Sequence, residues 1–316
     1  VAGQIGLEQS SAEYVAAMVA VFREMRRILR DDGTLWCNLG DAFGPNKQLQ
    51  MIPARVALAL QADGWVLRSD VIWAKPNPMP ESVTDRPTRS HEYIFLLSKA
   101  ARYYYDAEAI AEPVSASSDF GKPRPITPMS SSIGPHRARL GNGSVGSATG
   151  RNKRDVWTVA TAPYPNAHFA TFPPKLIEPC ILAGTSAKGA CPACGAPWRR
   201  IVEKSASPHD GHTASAYATG SNGNRISLAR QAARERGGEY ASATVTLAWE
   251  PSCTCGRTDT VPCTVLDIFA GAGTTLLVAK NHNRQAVGIE LNESYCRLIV
   301  DRLAQDVLPL EVLHDR

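Results

Sequence analysis

No apolar run in the 316 residues is long enough to span a bilayer, and no signal-peptide pattern opens the chain. A strong charge of one sign is also missing. Lys and Arg number 34 against 30 Asp and Glu, leaving +4, which permits nucleic-acid binding without arguing for it. There is no internal repeat. What remains is ordinary for a globular chain, 44% apolar and 20% charged, and long enough for a full α/β core with one or two insertions.

The most informative string is Val265-Leu-Asp-Ile-Phe-Ala-Gly-Ala-Gly-Thr-Thr275, followed by a second apolar run ending at Gly288-Ile-Glu290. An apolar strand running into a glycine turn lets a ligand approach the backbone, and a helix opening at Thr274 offers unpaired amides. An acidic residue at the end of the next strand can accept from both hydroxyls of a ribose. The three-glycine spacing of a dinucleotide site is absent, since only Gly271 and Gly273 are present.

Eight cysteines divide into two groups. Cys37, Cys180 and Cys296 fall in apolar segments and read as buried, inert thiols. Cys191-Pro-Ala-Cys194-Gly and Cys253-Thr-Cys255-Gly are tight pairs, each followed by glycine, which lets amides fold back onto thiolate sulfurs. That is the pattern of a structural zinc ribbon, with Cys191, Cys194, Cys253 and Cys255 as ligands. A pair of disulfides is the alternative, and Cys263 could replace one ligand.

Helical spacing covers Tyr14–Leu29 and Met51–Ala62, and strands are expected at Gly33–Gly40, Trp65–Ala74 and His91–Lys99. A helix at Leu176–Leu182, a strand at Val265, a helix from Thr274, a strand at Ala286–Glu290 and a helix through Leu303 complete the pattern. Alternating strands and helices predict an α/β fold with a mixed, mostly parallel sheet flanked by helices. Residues 113–150 are dominated by Ser, Gly, Pro, Arg and Lys and read as loops. Residues 205–242 have a similar texture.

The order of these parts, with Asp-x-Phe-x-Gly-x-Gly-Thr-Thr near the C-terminus, resembles the beta group of DNA amino-methyltransferases. The resemblance implies a Rossmann-like S-adenosylmethionine methyltransferase fold in which the catalytic half of the sheet precedes the cofactor half. It divides the chain into a catalytic half (1–112), a target-recognition insert (113–155), a cofactor-side segment (156–186), a zinc-ribbon insert (187–258) and a cofactor-binding half (259–316). It implies that Asp267, Phe269, Gly271, Gly273 and Thr274 hold the methionine portion of S-adenosylmethionine and Glu290 its ribose. His168–Lys175 matches the family's cofactor-side segment loosely, pointing to Phe172, Pro173 and Lys175.

The family's catalytic Ser/Asp/Asn-Pro-Pro-aromatic string is not in the chain; Thr161-Ala-Pro-Tyr164 is similar but misplaced. In that string a side-chain oxygen and a backbone carbonyl accept the hydrogens of a base's exocyclic amine, and the aromatic ring stacks on the extruded base. The expectation is that the natural polypeptide extends upstream of Val1 by roughly thirty or more residues, enough for one strand, the proline-rich catalytic turn and a loop. Asn38 and Asp41, after the neighbouring strand, are the visible candidates for the base pocket. An Asx turn is the structural alternative.

The expected activity is methyl transfer to cytosine N4 in double-stranded DNA with base flipping. Adenine N6 and a catalytically silent DNA-binding module are the alternatives. Arg137, Arg139, Arg151, Lys153 and Arg154 are the candidate DNA contacts. The resemblance further implies a cytoplasmic, DNA-associated, bacterial or phage-encoded protein of a restriction-modification system. A homodimer and a cognate restriction enzyme are compatible partners.

Overall fold

The computed structural model describes residues 3–112, 151–162, 172–204 and 244–305. By compactness the chain forms two units. The first comprises Val1–Ile110, Arg154–Arg199 and Pro251–Arg316; the second comprises Ala111–Lys153 and Arg200–Glu250.

In the first unit, helix α1 (Ser11–Ile28) starts where the Ser10 side chain accepts from the Glu13 amide. Its Met18, Phe22 and Met25 recur at helical spacing and are buried. Strand β1 (Thr34–Leu39) follows, then α2 (Ile52–Ala62), β2 (Val66–Ala74) and β3 (His91–Ser98). After β4 (Val156–Thr158) come α3 (Pro174–Gly184), β7 (Thr264–Asp267), α4 (Thr274–Asn281), β8 (Gln285–Gly288) and α5 (Glu293–Gln305). Strands β5 (Arg199–Lys204) and β6 (Thr244–Glu250) pair with each other in a separate two-stranded sheet.

The main sheet runs β1-β3-β2-β4, and β7 pairs with β8. β3 is antiparallel to both of its neighbours, whereas β2–β4 and β7–β8 are parallel. The sheet is mixed, as expected, but the expectation that it is mostly parallel is corrected, because β3 runs antiparallel to both of its neighbours. The reason lies in the connections. A parallel return needs a crossover, usually helical, and α2 provides one between β1 and β2. Residues 75–90, between β2 and β3, carry four prolines and no helix, and the Lys75 amide donates to the Ser90 carbonyl at 2.7 Å to close that loop. Only an antiparallel return is open to it.

Each face of the main sheet is covered. Cys37, Leu39, Phe95 and Leu97 pack against α1 and α2, with Val56 and Leu60 almost fully buried. On the other side Val71, Trp73, Ile94 and Trp157 meet Leu176 and Cys180 of α3. α3 also packs through Ile177 and Ile181 onto Val278 and Ala279 of α4. Among the described residues no helix is long and apolar enough to cross a membrane.

Candidate functional site

The glycine turn after β7 forms as the sequence predicts. Gly271 and Gly273 have φ of +51° and +75°, a region that disfavours any side chain. The Phe269 amide donates to Asp267 Oδ1 at 3.0 Å, and the Gly273 amide to the Ala270 carbonyl at 2.7 Å, which tightens the turn into α4. Gly273 is required for a second reason. A Cβ there would lie 2.9 Å from Ile299 Cγ1 of α5. Phe269 is half exposed beside this turn, and Thr274 is buried.

Glu290 reaches the turn directly. Its Oε2 accepts from the Gly271 amide at 2.8 Å and its Oε1 from the Asn292 amide at 2.9 Å. A carboxylate has roughly four acceptor positions, so about two remain for other donors. Arg302, which sequence reasoning missed, braces the turn from α5: its Nη1 donates to the Ala272 carbonyl at 2.8 Å and to Thr274 Oγ1 at 3.1 Å. No local signal marks it, because its role depends on α5 folding back over the turn.

The cofactor-side segment is placed in part. Phe172 is half-buried between α3 and the sheet, Pro173 is buried at the start of α3, and Lys175 is exposed. His168 and Tyr164 lie outside the described residues.

Asn38 and Asp41 are both engaged with the protein. Asn38 Nδ2 donates to the Tyr93 carbonyl on β3 at 3.1 Å. Asp41 Oδ1 accepts from the amides of Ala42 and Ile52, each at 2.9 Å, so this carboxylate caps α2 from eleven residues upstream. Its other oxygen lies 3.6 Å from Arg89 Nη1, and the Asp41 side chain is only 3% exposed.

The four predicted metal cysteines converge. The Sγ atoms of Cys191, Cys194, Cys253 and Cys255 all lie within 4.8 Å of one another, and none is in a disulfide. Tetrahedral zinc with bonds of about 2.3 Å would set its sulfurs roughly 3.8 Å apart, so the cluster fits. Gly195 and Gly256, one after each pair, have φ of +71° and +68°. Backbone amides of Cys194 and Ala193 lower the Cys191 thiol to about 7, whereas the facing thiols of Cys194 and Cys253 push Cys255 up to about 12. The Ala190 and Val261 backbones pair at 2.8 and 2.9 Å beside the cluster, and Arg30 donates to the Cys194 carbonyl. Cys263 is buried, with its thiol raised by burial.

Of the five basic candidates, Arg137 and Arg139 lie outside the described residues. Arg151 pairs with Glu112 at 3.0 Å, Lys153 is half-buried, and the exposed Arg154 precedes β4.

Residues 2–191 and 263–301 match the sequence profile of the N6/N4 methyltransferase family, described as DNA methylase. The chain is 34% identical over 328 residues to the Type II methyltransferase M.XycI of Xanthomonas campestris pv. cyanopsidis, covering 95% of this chain and 74% of that protein. It is 32% identical over 329 residues to M.SmaI of Serratia marcescens, covering 95% and 77%. Among solved structures, the PvuII DNA methyltransferase (cytosine-N4-specific) shares the fold at a TM-score of 0.55 and 14% identity, covering 99% of this chain and 78% of that one.

Proposed function

The chain belongs to the N6/N4 family of DNA methylases, S-adenosylmethionine-dependent amino-methyltransferases, and from that premise we propose that it acts on N4 of cytosine in double-stranded DNA. The observation that carries the cofactor assignment is the Glu290 carboxylate standing at the Gly271–Gly273 turn with acceptor capacity to spare. When bound, S-adenosylmethionine supplies an electrophilic methyl group on a positively charged sulfur. Glu290 would accept from its ribose. Asp267 and Phe269 would flank its methionine portion, with Gly271, Gly273 and the Thr274 helix start letting the backbone approach. Phe172 and Pro173, just before α3, and Lys175 in its first turn would border that side.

Asn38, which lines the same cavity as Asp267 and Phe269, belongs to the base pocket. Asp41 holds that pocket's shape by capping α2, a positioning role. The flipped base and the DNA backbone would be met by the catalytic-side loops and by Arg137, Arg139, Arg151, Lys153 and Arg154. Cys191, Cys194, Cys253 and Cys255 hold one structural zinc. Four sulfurs close its shell, leaving no position for water and hence no metal chemistry.

Two measurements test the reading. Titration with S-adenosylhomocysteine should show a single site that Glu290→Ala abolishes; no binding would favour a silent DNA-binding module. Mass analysis of nucleosides from DNA of cells carrying the gene should reveal N4-methyldeoxycytidine. Finding N6-methyldeoxyadenosine instead would move the target to adenine.

A further inference from the structure

Among the described residues the most exposed large apolar side chain is Met79, at 85%. It stands in the β2–β3 loop, in the string Lys75-Pro-Asn-Pro-Met-Pro80, with a proline on each side. Proline fixes φ near about −65° and restricts the residue before it, so Pro76, Pro78 and Pro80 leave this stretch little freedom to fold Met79 back onto the protein. The stretch is also pinned at both ends. Asn77 Oδ1 accepts from the Thr161 amide at 2.9 Å, and the Thr161 hydroxyl donates to the Asn77 carbonyl at 3.4 Å. Beyond the prolines Glu81 pairs with Arg86 at 2.6 Å, and that guanidinium lies 4.0 Å over the Phe43 ring.

The loop stands at the base-pocket end of the sheet. β1 and β2 are both antiparallel to β3 and therefore run the same way, which sets the end of β2 at the same side as the end of β1, where Asn38 lies. Ligand crevices of α/β sheets open at that side. The segment that follows Asn38 is tied to the loop directly: Lys47 pairs with Asp85 at 2.5 Å, and Asp41 lies 3.6 Å from Arg89. Met79 is thus held out into solvent on a braced loop beside the pocket rim.

We propose that Met79 is a wedge that enters the DNA stack and fills the space vacated by the target base. The proposal rests on the base-flipping reading above and adds to it the group that replaces the base. A base that turns out leaves its stacking neighbours and its partner facing a void, and that loss must be offset. Apolar side chains inserted between base steps, methionine among them, do this in proteins that deform DNA. Met79 suits the task on three counts. Its thioether is unbranched and polarizable, so it conforms to the faces of stacked bases. Pro78 and Pro80 carry no backbone N–H, so the tip brings few donors into the stack that would lose water without gaining a partner. The bracing means that insertion orders little that was free beforehand, and little of the contact energy is lost to entropy.

The test compares the enzyme with Met79→Ala and Met79→Leu on two duplexes carrying the site found methylated in cells that bear the gene. One duplex is fully paired; in the other the target base faces a mismatched partner and is already loosened from the stack. Single-turnover methylation by Met79→Ala should be roughly ten- to a hundredfold slower on the paired duplex, the range expected from burying one such side chain. On the mismatched duplex it should be slower by less than about threefold, because the unstacking is already supplied. Met79→Leu should retain most of the rate on both. An equal loss on the two duplexes would assign Met79 to folding or general DNA affinity, and no loss on the paired duplex would place it outside the stack. Either result overturns the proposal and leaves base flipping standing. 2-Aminopurine at the target position, which brightens on leaving the stack, checks the flipping itself. No brightening with the unsubstituted enzyme would remove that reading and the proposal with it.

Discussion

Replacing Gly273 by alanine should damage the cofactor turn in two separable ways. At φ of +75° an L-residue pays about 1–2 kcal/mol for the left-handed backbone. The new methyl would also sit 2.9 Å from Cγ1 and 3.2 Å from Cγ2 of Ile299, a residue 8% exposed in the α4–α5 packing. Forcing a methyl into a packed site costs about 1–3 kcal/mol more. Gly273→Ala should therefore lose about 2–5 kcal/mol of stability and weaken S-adenosylhomocysteine binding at least roughly tenfold. Ile299→Ala removes both clashing carbons and by itself should cost about 2–5 kcal/mol as a cavity. The double variant should be less damaged than the sum by about 1–3 kcal/mol, because the methyl then enters space instead of Ile299. The backbone part is not relieved, so binding should recover only partly. Urea denaturation of the four proteins gives the cycle, and calorimetric titration gives the affinities. A Gly273→Ala protein within about 0.5 kcal/mol of the parent and with unchanged affinity would refute the reasoning.

Glu290→Gln should weaken cofactor binding more than it lowers stability, since the amide keeps one acceptor oxygen but turns an N–H toward Gly271 or Asn292; equal affinity by calorimetry would contradict the ribose role. Elemental analysis should find about one zinc per chain, and chelation should lower the melting temperature measured by calorimetry, whereas absence of metal would end the structural-zinc reading. Neutralising Arg137, Arg139, Arg151, Lys153 and Arg154 together should reduce the slope of log affinity for DNA against log salt by about 0.9 for each phosphate that the protein no longer neutralises. Arg151 should contribute least because Glu112 already holds it. Burial pushes the Cys37 thiol up to about 12. The folded state therefore keeps a proton that the unfolded chain releases above its ordinary value near 9, so this residue's contribution is whole below pH 9 and falls between pH 9 and 12. Cys37→Ala should flatten that part of a stability–pH curve.

Much of the local structure was readable because it is encoded locally. Met18, Phe22 and Met25 mark α1 by their spacing, and the Gly271–Gly273 string with Glu290 announced a turn that the structure builds with a direct carboxylate–amide contact. The cysteine pairs could be matched because thiolate ligation has few alternatives at that spacing. Strand direction could not be read this way. Tyr93–Leu97 is apolar in either orientation, and the antiparallel return of β3 follows from the proline-rich loop before it. Asp41 was also misleading in isolation. Caps are sought next to a helix start, yet α2 begins after Met51 in a left-handed conformation and takes its cap from a distant loop. Arg302 and Ile299 acquire their roles only once α5 is laid across the turn.

The four-sulfur cluster and the Ala190–Val261 pairing also bear on how this protein can change over evolution. They clamp the two ends of an excursion with 58 residues between Cys194 and Cys253. Once such ends are pinned, doubling the length between them costs only about 0.6 kcal/mol of closure entropy. Lineages can lengthen, shorten or rewrite that excursion while the chain re-enters β7 at the same point. The staple thus uncouples the pace of change in the excursion from the constancy that the backbone geometry demands of the Gly271–Gly273 turn beyond it.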